Sequence, residues 1–422
     1  MMTDEKIETV TRAVDHDSLS VIELNDWSEL EGIAADWERL LSENPALGLF
    51  STPEWLGSWW HAFGAGKELV ALVFTDANRA VVGLSPMYRE RVESPLVARV
   101  NLLRLVGDGS GDSDDMDFIV RPGYEGAVVR AFLKWFRNRK WDLCHLNALS
   151  PRSVVASLLL RDLRNNSWDL ATHEHPCVTV PLPGTWELYL KQLSSKERGK
   201  IGNRTRRLET RHQLRFYKCQ AAEELPQCLD TLFLLHQKRW EKLDESGSFS
   251  LPRRRQFYDE MARLLLLRNR LELWFLELDG HTVAAQIALR YGNTMNSLQE
   301  GFDPAYASDS VGYVLRGHVL RQCIAAGVDK YDFLAGDQDS KQRWGAEIGS
   351  YTDIHLARPG SMGVLHLQIA EGVLATKSWL RRHLPARAIE MLRPRRTRSG
   401  EGAGNGNDPA AGSDNDSVRG KS

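Results

Sequence analysis

The sequence lacks the signatures of most catalytic classes. It has no GxxxxGK[ST] phosphate loop, no GxSxG elbow, no HExxH pair and no dinucleotide fingerprint after a strand. Its five cysteines (Cys144, Cys177, Cys219, Cys228, Cys323) lie far apart without a CxxC pair. That spacing argues against a zinc ribbon or a disulfide framework and makes a reducing cytoplasm the expected compartment. No apolar run approaches membrane-spanning length, and the N-terminus MMTDEKIETV has neither a basic nor an apolar leader region, so neither a span nor standard export is expected. Charge of one sign is missing too: 54 Lys+Arg against 56 Asp+Glu leave a net charge of -2. A dedicated nucleic-acid binder would show a basic excess.

What remains is an ordinary globular chain of 422 residues, 42% hydrophobic and 26% charged, long enough for two or three domains. The stretch from Leu271 to Trp344 organises it. Leu271 to Leu278 and Thr282 to Tyr291 are β-prone runs around Asp279-Gly280, a strong hairpin signal. A third strand (Thr294 to Gly301) leads to Ser308-Asp309-Ser310, whose oxygens are expected to cap a helix from Val311 to Ala326. Gly327 ends it, and Lys330 to Leu334 reads as a buried strand.

The same order recurs earlier. Trp27 to Leu41 reads as one helix, and Thr52-Pro53 starts another that carries Trp55, Trp59, Trp60 and Phe63 as core. The runs Glu68–Phe74 and Ala80–Tyr88, the helix Gly126–Arg137 and the strand Trp141–Leu146 then repeat the later pattern. An internal duplication follows: a loose N-terminus (1–18), a first αβ domain (19–175), a second (176–360), a basic amphipathic helix (361–398) and a polar tail (399–422) that cannot fold alone. The C-terminal helix presents Leu365, Ile369, Val373, Leu380 and Leu384. It is expected to pack on the globule, with contact to an anionic membrane at its cytoplasmic face as the alternative.

Each copy carries an insertion. The acidic loop Gly107–Asp117 has no regular calcium spacing, so it reads as a solvated loop or a mouth over a site. The second copy inserts a basic helix, capped by Ser194 or Ser195, that carries Lys196, Arg198, Lys200, Arg204, Arg206, Arg207 and Arg211. It is either a solvated face or a recognition surface for an anion. The run His173-Glu174-His175-Pro176-Cys177 has metal-capable atoms, but neighbours on a strand point to opposite faces and no second ligand group is evident. No metal is expected.

Several stretches together resemble a known family. They are Phe50–Trp55 (FSTPEW) with Phe63-Gly64, Ser195–Arg198 (SKER), His236–Trp240 (HQKRW), Gly301–Tyr306 (GFDPAY) with Ser310-Val311-Gly312, Tyr331–Gly336 (YDFLAG) and Lys341–Trp344 (KQRW). In order and spacing they are similar to double-domain GNAT acyltransferases over roughly residues 20 to 360. The closer likeness is to the CelD-like branch associated with polysaccharide biosynthesis, which is related to Fem-type peptidyltransferases. The resemblance implies a mixed α/β fold of two GNAT-like domains, each a splayed sheet flanked by helices. It also implies acetyl-CoA or another acyl-CoA as donor and a small-molecule amine as acceptor.

On this reading the coenzyme's pyrophosphate lies at Ser310, Val311, Gly312 and Tyr313, where a helix N-terminus favours anions. The family's loop has two glycines; this chain has one, beside Asp309. Glu300 is the expected base, Asp332 the second choice, and Tyr306 the acid for the leaving thiolate. Lys341 and Trp344 are expected to bind the acceptor or acyl chain, His236, Arg239 and Trp240 to line the acceptor pocket, and Lys196 and Arg198 to contact substrate. Two alternatives stand beside this one. One is a Fem-type aminoacyl transferase, the only reading in which the basic helix holds tRNA; the other is a non-catalytic member of a polysaccharide assembly.

Overall fold

The computed structural model describes residues 19–94, 97–166, 168–241, 247–335 and 338–383. The first half runs β1 (Ser20–Leu24), α1 (Trp27–Glu31), α2 (Ala34–Glu43), α3 (Pro53–Phe63), β2 (Glu68–Thr75), β3 (Val81–Ser94), β4 (Val97–Leu105), β5 (Ile119–Val120), α4 (Glu125–Arg137), β6 (Leu143–Leu149), α5 (Val154–Asn165) and β7 (Asp169–Pro181). The second half runs α6 (Trp186–Gln192), α7 (Ser195–Arg211), β8 (Leu214–Lys218), α8 (Leu225–Glu241), α9 (Pro252–Leu267), β9 (Leu271–Leu278), β10 (His281–Tyr291) and β11 (Thr294–Phe302). It ends with α10 (Val311–Ala325), β12 (Lys330–Ala335), α11 (Gln338–Gln342), β13 (Glu347–Ala357) and α12 (Met362–His383).

Local chemistry explains the boundaries. Thr52 accepts a hydrogen bond from the Trp55 amide with Pro53 at the first helical position, as expected. Asp279 and Gly280 both take positive φ (50° and 82°), the two-residue turn that a DG pair favours between strands. The expected helix from Trp27 to Leu41 is instead split at Gly32-Ile33, because the Asp26–Glu29 capping box starts a short first segment that stops there.

The thirteen strands found among the described residues form one mixed sheet in the order β1-β2-β3-β4-β6-β13-β7-β12-β11-β10-β9-β8, with β5 beside β3. Two features of it position the site. First, the halves exchange their last strands: β13 of the second half pairs with β6 of the first, while β7 of the first pairs with β12 of the second. The expected boundary near His175-Pro176 thus falls inside the continuous strand β7, which also pairs with β13 along its length. Second, each half contains one parallel pair that splays. β11 and β12 are in register only from Thr294/Lys330 to Asn296/Asp332, and β4 and β6 only from Leu102/Leu143 to Arg104/His145.

Helices cover both faces. Trp55 and Phe63 of α3 pack across the halves onto Phe257 of α9, at 4.9 and 5.8 Å. One apolar core therefore runs under α1–α3 and α8–α9. On the other face α4 and α5 cover the first half, and α6, α7 and α10 cover the second. The C-terminal helix α12 does pack on the sheet, but through Gly363, Val364 and Leu367. The stripe expected to pack is different: Leu365 and Val373 are exposed, and Leu384 lies outside the described residues. Among the described residues no helix is long and apolar enough to cross a membrane.

Candidate functional site

The N-terminus of α10 is left without a side-chain cap. Ser310 sits in the left-handed region (φ 57°) and makes no side-chain cap, so the expected Ser308–Ser310 capping does not form. The amides of Val311, Gly312 and Tyr313 consequently have no acceptor among the described residues. No acidic residue occupies the first turn. Helix α7 crosses beside it: the Arg204 guanidinium lies 4.5 Å from the Tyr313 ring, and Arg207 donates to the Ser308 carbonyl at 2.6 Å. Arg204 Nη1 and Arg207 Nε are buried yet unpartnered among the described residues. Asp309, which in sequence looks hostile to an anion, is neutralised by Arg207 at 3.5 Å and Arg211 at 3.4 Å. Free amides at the positive end of the helix dipole therefore lie beside two arginines of α7.

The splay between β11 and β12 opens beside this cradle and leaves Ser297–Phe302 without a strand partner on that edge. At the free end of β12 the chain is bent. Leu334 has φ 60°, held by its amide donating to Asp332 Oδ1 at 2.9 Å. The next amide, Ala335, donates to Asp114 Oδ2 at 3.0 Å, and Asp114 belongs to the acidic loop of the first half. Of the two expectations for that loop, a solvated loop or a mouth over a site, the solvated one does not hold. Trp55 and Trp59 donate to Ser113 and Ser110 at 2.9 and 3.0 Å, while Arg254 of α9 binds the fully buried Asp112 carboxylate at 3.0 Å. Clasped from both halves, the loop holds Asp114 over the mouth of the second splay. Burial pushes the Asp114 carboxyl up to about 6, with Asp332 and Asp115 adding to the rise.

The other expected residues take different places. Glu300 lies on β11 facing α10, gripped through both carboxylate oxygens by the half-buried Arg316 guanidinium, with the Nε contact at 2.9 Å. Arg239 stands behind it and donates to the Glu300 carbonyl at 3.5 Å. Asp332 is 3% exposed, pairs with Lys330 at 3.2 Å and shapes the β12 bend. Burial raises its pKa. Lys341 points its ammonium at the Phe333 and Ala335 carbonyls (2.9 and 2.8 Å), and burial pulls it down to about 8. Trp344 is fully buried against Tyr313, at 4.4 Å, beneath α10. His236 is buried and accepts from Trp240 Nε1 at 2.9 Å, so these two residues brace α8 rather than line a pocket. Tyr306 lies near His212, at 6.5 Å, above the β9–β10 turn. Lys196 is exposed near the start of α7, and Arg198 caps the end of α6 by donating to the Leu193 carbonyl at 3.1 Å. Sequence reasoning singled out the arginines of α7 as a group; it could not see that Arg204 and Arg207 are the ones turned to α10, nor that Asp114 reaches β12.

Among the described residues the first half shows no matching arrangement. At the start of α4 the Glu125 carboxylate accepts from the Gly123 amide at 2.8 Å and puts negative charge where an anion would sit. Its splay is filled by a polar network: Arg104 binds Asp108 at 3.0 Å, Asn147 binds Asp108 at 3.0 Å, and His355 contacts Asn147 at 2.7 Å.

Residues 195–342 match the family model described as an acetyltransferase (GNAT) domain. No curated protein matches the sequence. Among solved structures, FemX aligns with a TM-score of 0.54 at 11% identity, over 80% of this chain and 97% of its own. A conserved protein of unknown function from Bacteroides thetaiotaomicron VPI-5482 aligns at 0.52 and 11%, over 80% and 100%. At such identities the likeness is one of fold. The protein is a mixed α/β chain of GNAT-like architecture whose second half carries the match to the GNAT domain.

Proposed function

We propose that this protein is an N-acyltransferase that takes an acyl group from acyl-CoA and passes it to a small amine, and that the second half is the working copy. The observation that carries this reading is the α10 cradle, where three free amides and two buried guanidinium N–H groups await an anion. A coenzyme pyrophosphate there would direct the thioester into the β11–β12 splay. The thioester is already activated, so the protein has to align, polarise and deprotonate. The neutral amine attacks the carbonyl carbon, the C–N bond forms, and the C–S bond breaks to release the thiolate. Backbone N–H groups on the open edge of β11 suit the developing oxyanion, and the proton lost by nitrogen goes to Asp114. Asp114 takes the base role here because Glu300 is committed to Arg316, whereas the Asp114 carboxylate accepts one backbone amide and has a pKa suited to neutral pH. Asp332 then acts by holding the β12 bend. Acidic groups at the mouth favour a cationic amine, as an amino sugar would be, which fits the polysaccharide-directed, CelD-like expectation.

The second reading, aminoacyl transfer from tRNA, draws on the exposed charges of α7, among them Lys196 and Arg206. Binding separates the two. Acetyl-CoA and longer acyl-CoA species should raise the melting temperature, and the Arg204→Ala/Arg207→Ala variant should bind them at least about tenfold more weakly, since hydrogen bonds between charged groups contribute roughly 1.5–3 kcal/mol each. Stabilisation by tRNA alone, steeply reduced by salt, would replace the proposal with the tRNA reading.

A further inference from the structure

Five of the twelve histidines, His145, His173, His175, His355 and His366, gather where β6, β13 and β7 pass beneath α12, remote in sequence from the α10 cradle and unused by the proposed chemistry. The sequence set the 173–177 run aside for want of a second ligand group. The fold supplies one. His173 and His175 are two apart on β7 and share a face. Across the strand pair stand Asp353 and His355 of β13, and above them lies Glu371 of α12. We propose that His173, His355 and Glu371 form a binding site for a first-row divalent metal ion of the zinc, cobalt or nickel type, which clamps α12 to the seam between the two halves.

Each of the three residues offers one ligand atom, and those atoms lie within 4.8 Å of one another. Bonds of about 2.0–2.2 Å set tetrahedral ligand atoms roughly 3.3–3.6 Å apart, so the widest pair has to close by up to about 1.5 Å, which a side-chain torsion of the carboxylate on its half-exposed helix turn can supply. His173 Nε2 already stands 3.0 Å from Glu371 Oε1. The outer groups look arranged for ligation. His355 Nε2 contacts Asn147 Oδ1 at 2.7 Å, so a donated proton there leaves Nδ1 as the free lone pair. The His145 ring stacks on His355 at 3.9 Å and fixes its plane. His366 Nδ1 is buried and unpartnered among the described residues. Glu371 follows Leu367 by four residues, which puts a carboxylate on the packed face of α12, where an apolar side chain would otherwise serve. Two imidazoles and one carboxylate select against calcium and magnesium, which take oxygen ligands.

The test uses the full chain, free of any histidine tag and stripped by a chelator. Titration with Co2+ should give one equivalent per chain with visible d–d absorption, displaced by Zn2+, and the bound metal should slow hydrogen exchange in residues 362–383. His173→Ala and His355→Ala should abolish the uptake. Glu371→Gln, on the half-exposed helix, should weaken it at least about tenfold without disturbing the sheet, and His212→Ala, far from the cluster, should leave it unchanged. The site is refuted if the chain takes up no metal at micromolar concentration, or if folded Glu371→Gln and the His173→Ala/His355→Ala pair retain full uptake. If the histidine variants misfold, Glu371→Gln alone decides.

Discussion

Two carboxylates beside the second splay differ in what holds them, and that difference predicts their behaviour. Glu300 is held through both oxygens by the Arg316 guanidinium, so its lone pairs are already engaged. Asp114 is raised to about 6 by burial, so it is largely ionised at neutral pH yet basic enough to accept a proton. Acyl transfer in the wild type should therefore rise with pH through about 6. Asp114→Asn should lower kcat by about 10²–10⁴ and remove that inflection. The opposite pattern, with Glu300→Gln inactive and Asp114→Asn unchanged, would return the base role to Glu300. The same shift has a cost in stability. A carboxyl whose folded pKa lies above its unfolded value of about 3.9 binds more protons when folded, so its contribution is full below about 4 and is lost as pH rises through about 6. Asp114→Asn should thus melt like the wild type at pH 4 and at a higher temperature at pH 8, as a thermal scan would show.

Two glycines flank the site on neighbouring elements, and each is there for a different reason. A Cβ on Gly301 of β11 would stand 2.3 Å from the His236 amide nitrogen, so α8 can rest on the strand only while that position is bare. At Gly312 the nearest atom to a Cβ is in Phe302 at 3.6 Å, an ordinary contact, which leaves room for the donor proposed above. Gly301→Ala should cost about 1–3 kcal/mol in urea unfolding, the range for overpacking. Gly312→Ala should leave stability unchanged or slightly raised while weakening acyl-CoA binding; equal binding would place the donor elsewhere. Much of this stretch was legible in sequence. The DG turn, Pro53 after Thr52, Gly327 at a helix end and the crowd of arginines on α7 are all local signals. What the sequence could not show was pairing across distance. Nothing near Glu300 announces Arg316 as its partner rather than a substrate, nothing near Asp309 announces two arginines from a helix a hundred residues earlier, and the packed stripe of α12 is chosen by Asp142 and β4 rather than by the helix's own apolar periodicity.

At the scale of the whole molecule, duplication was visible as a repeated order of elements, but the exchange of last strands was not, because either pairing satisfies the same alternation of side chains. The exchange matters energetically. With β13 lying between β6 and β7, and β7 between β13 and β12, neither half can complete its sheet without the other. The acidic loop adds a second tie, since Asp112 of the first half is wholly buried against Arg254 of the second. Such a molecule should unfold as one unit despite its two copies, giving a single calorimetric transition whose van't Hoff and calorimetric enthalpies agree. Arg254→Ala strands a buried carboxylate and should lower stability by about 3–5 kcal/mol, the usual consequence of removing one partner from a buried pair. Because the loop also carries Asp114, the same variant should reduce acyl transfer even though Arg254 touches no substrate. If the variant or the wild type instead melts in two separate steps, the halves are energetically independent, and the loop is an ornament of the first half rather than the part that sets Asp114 over the second.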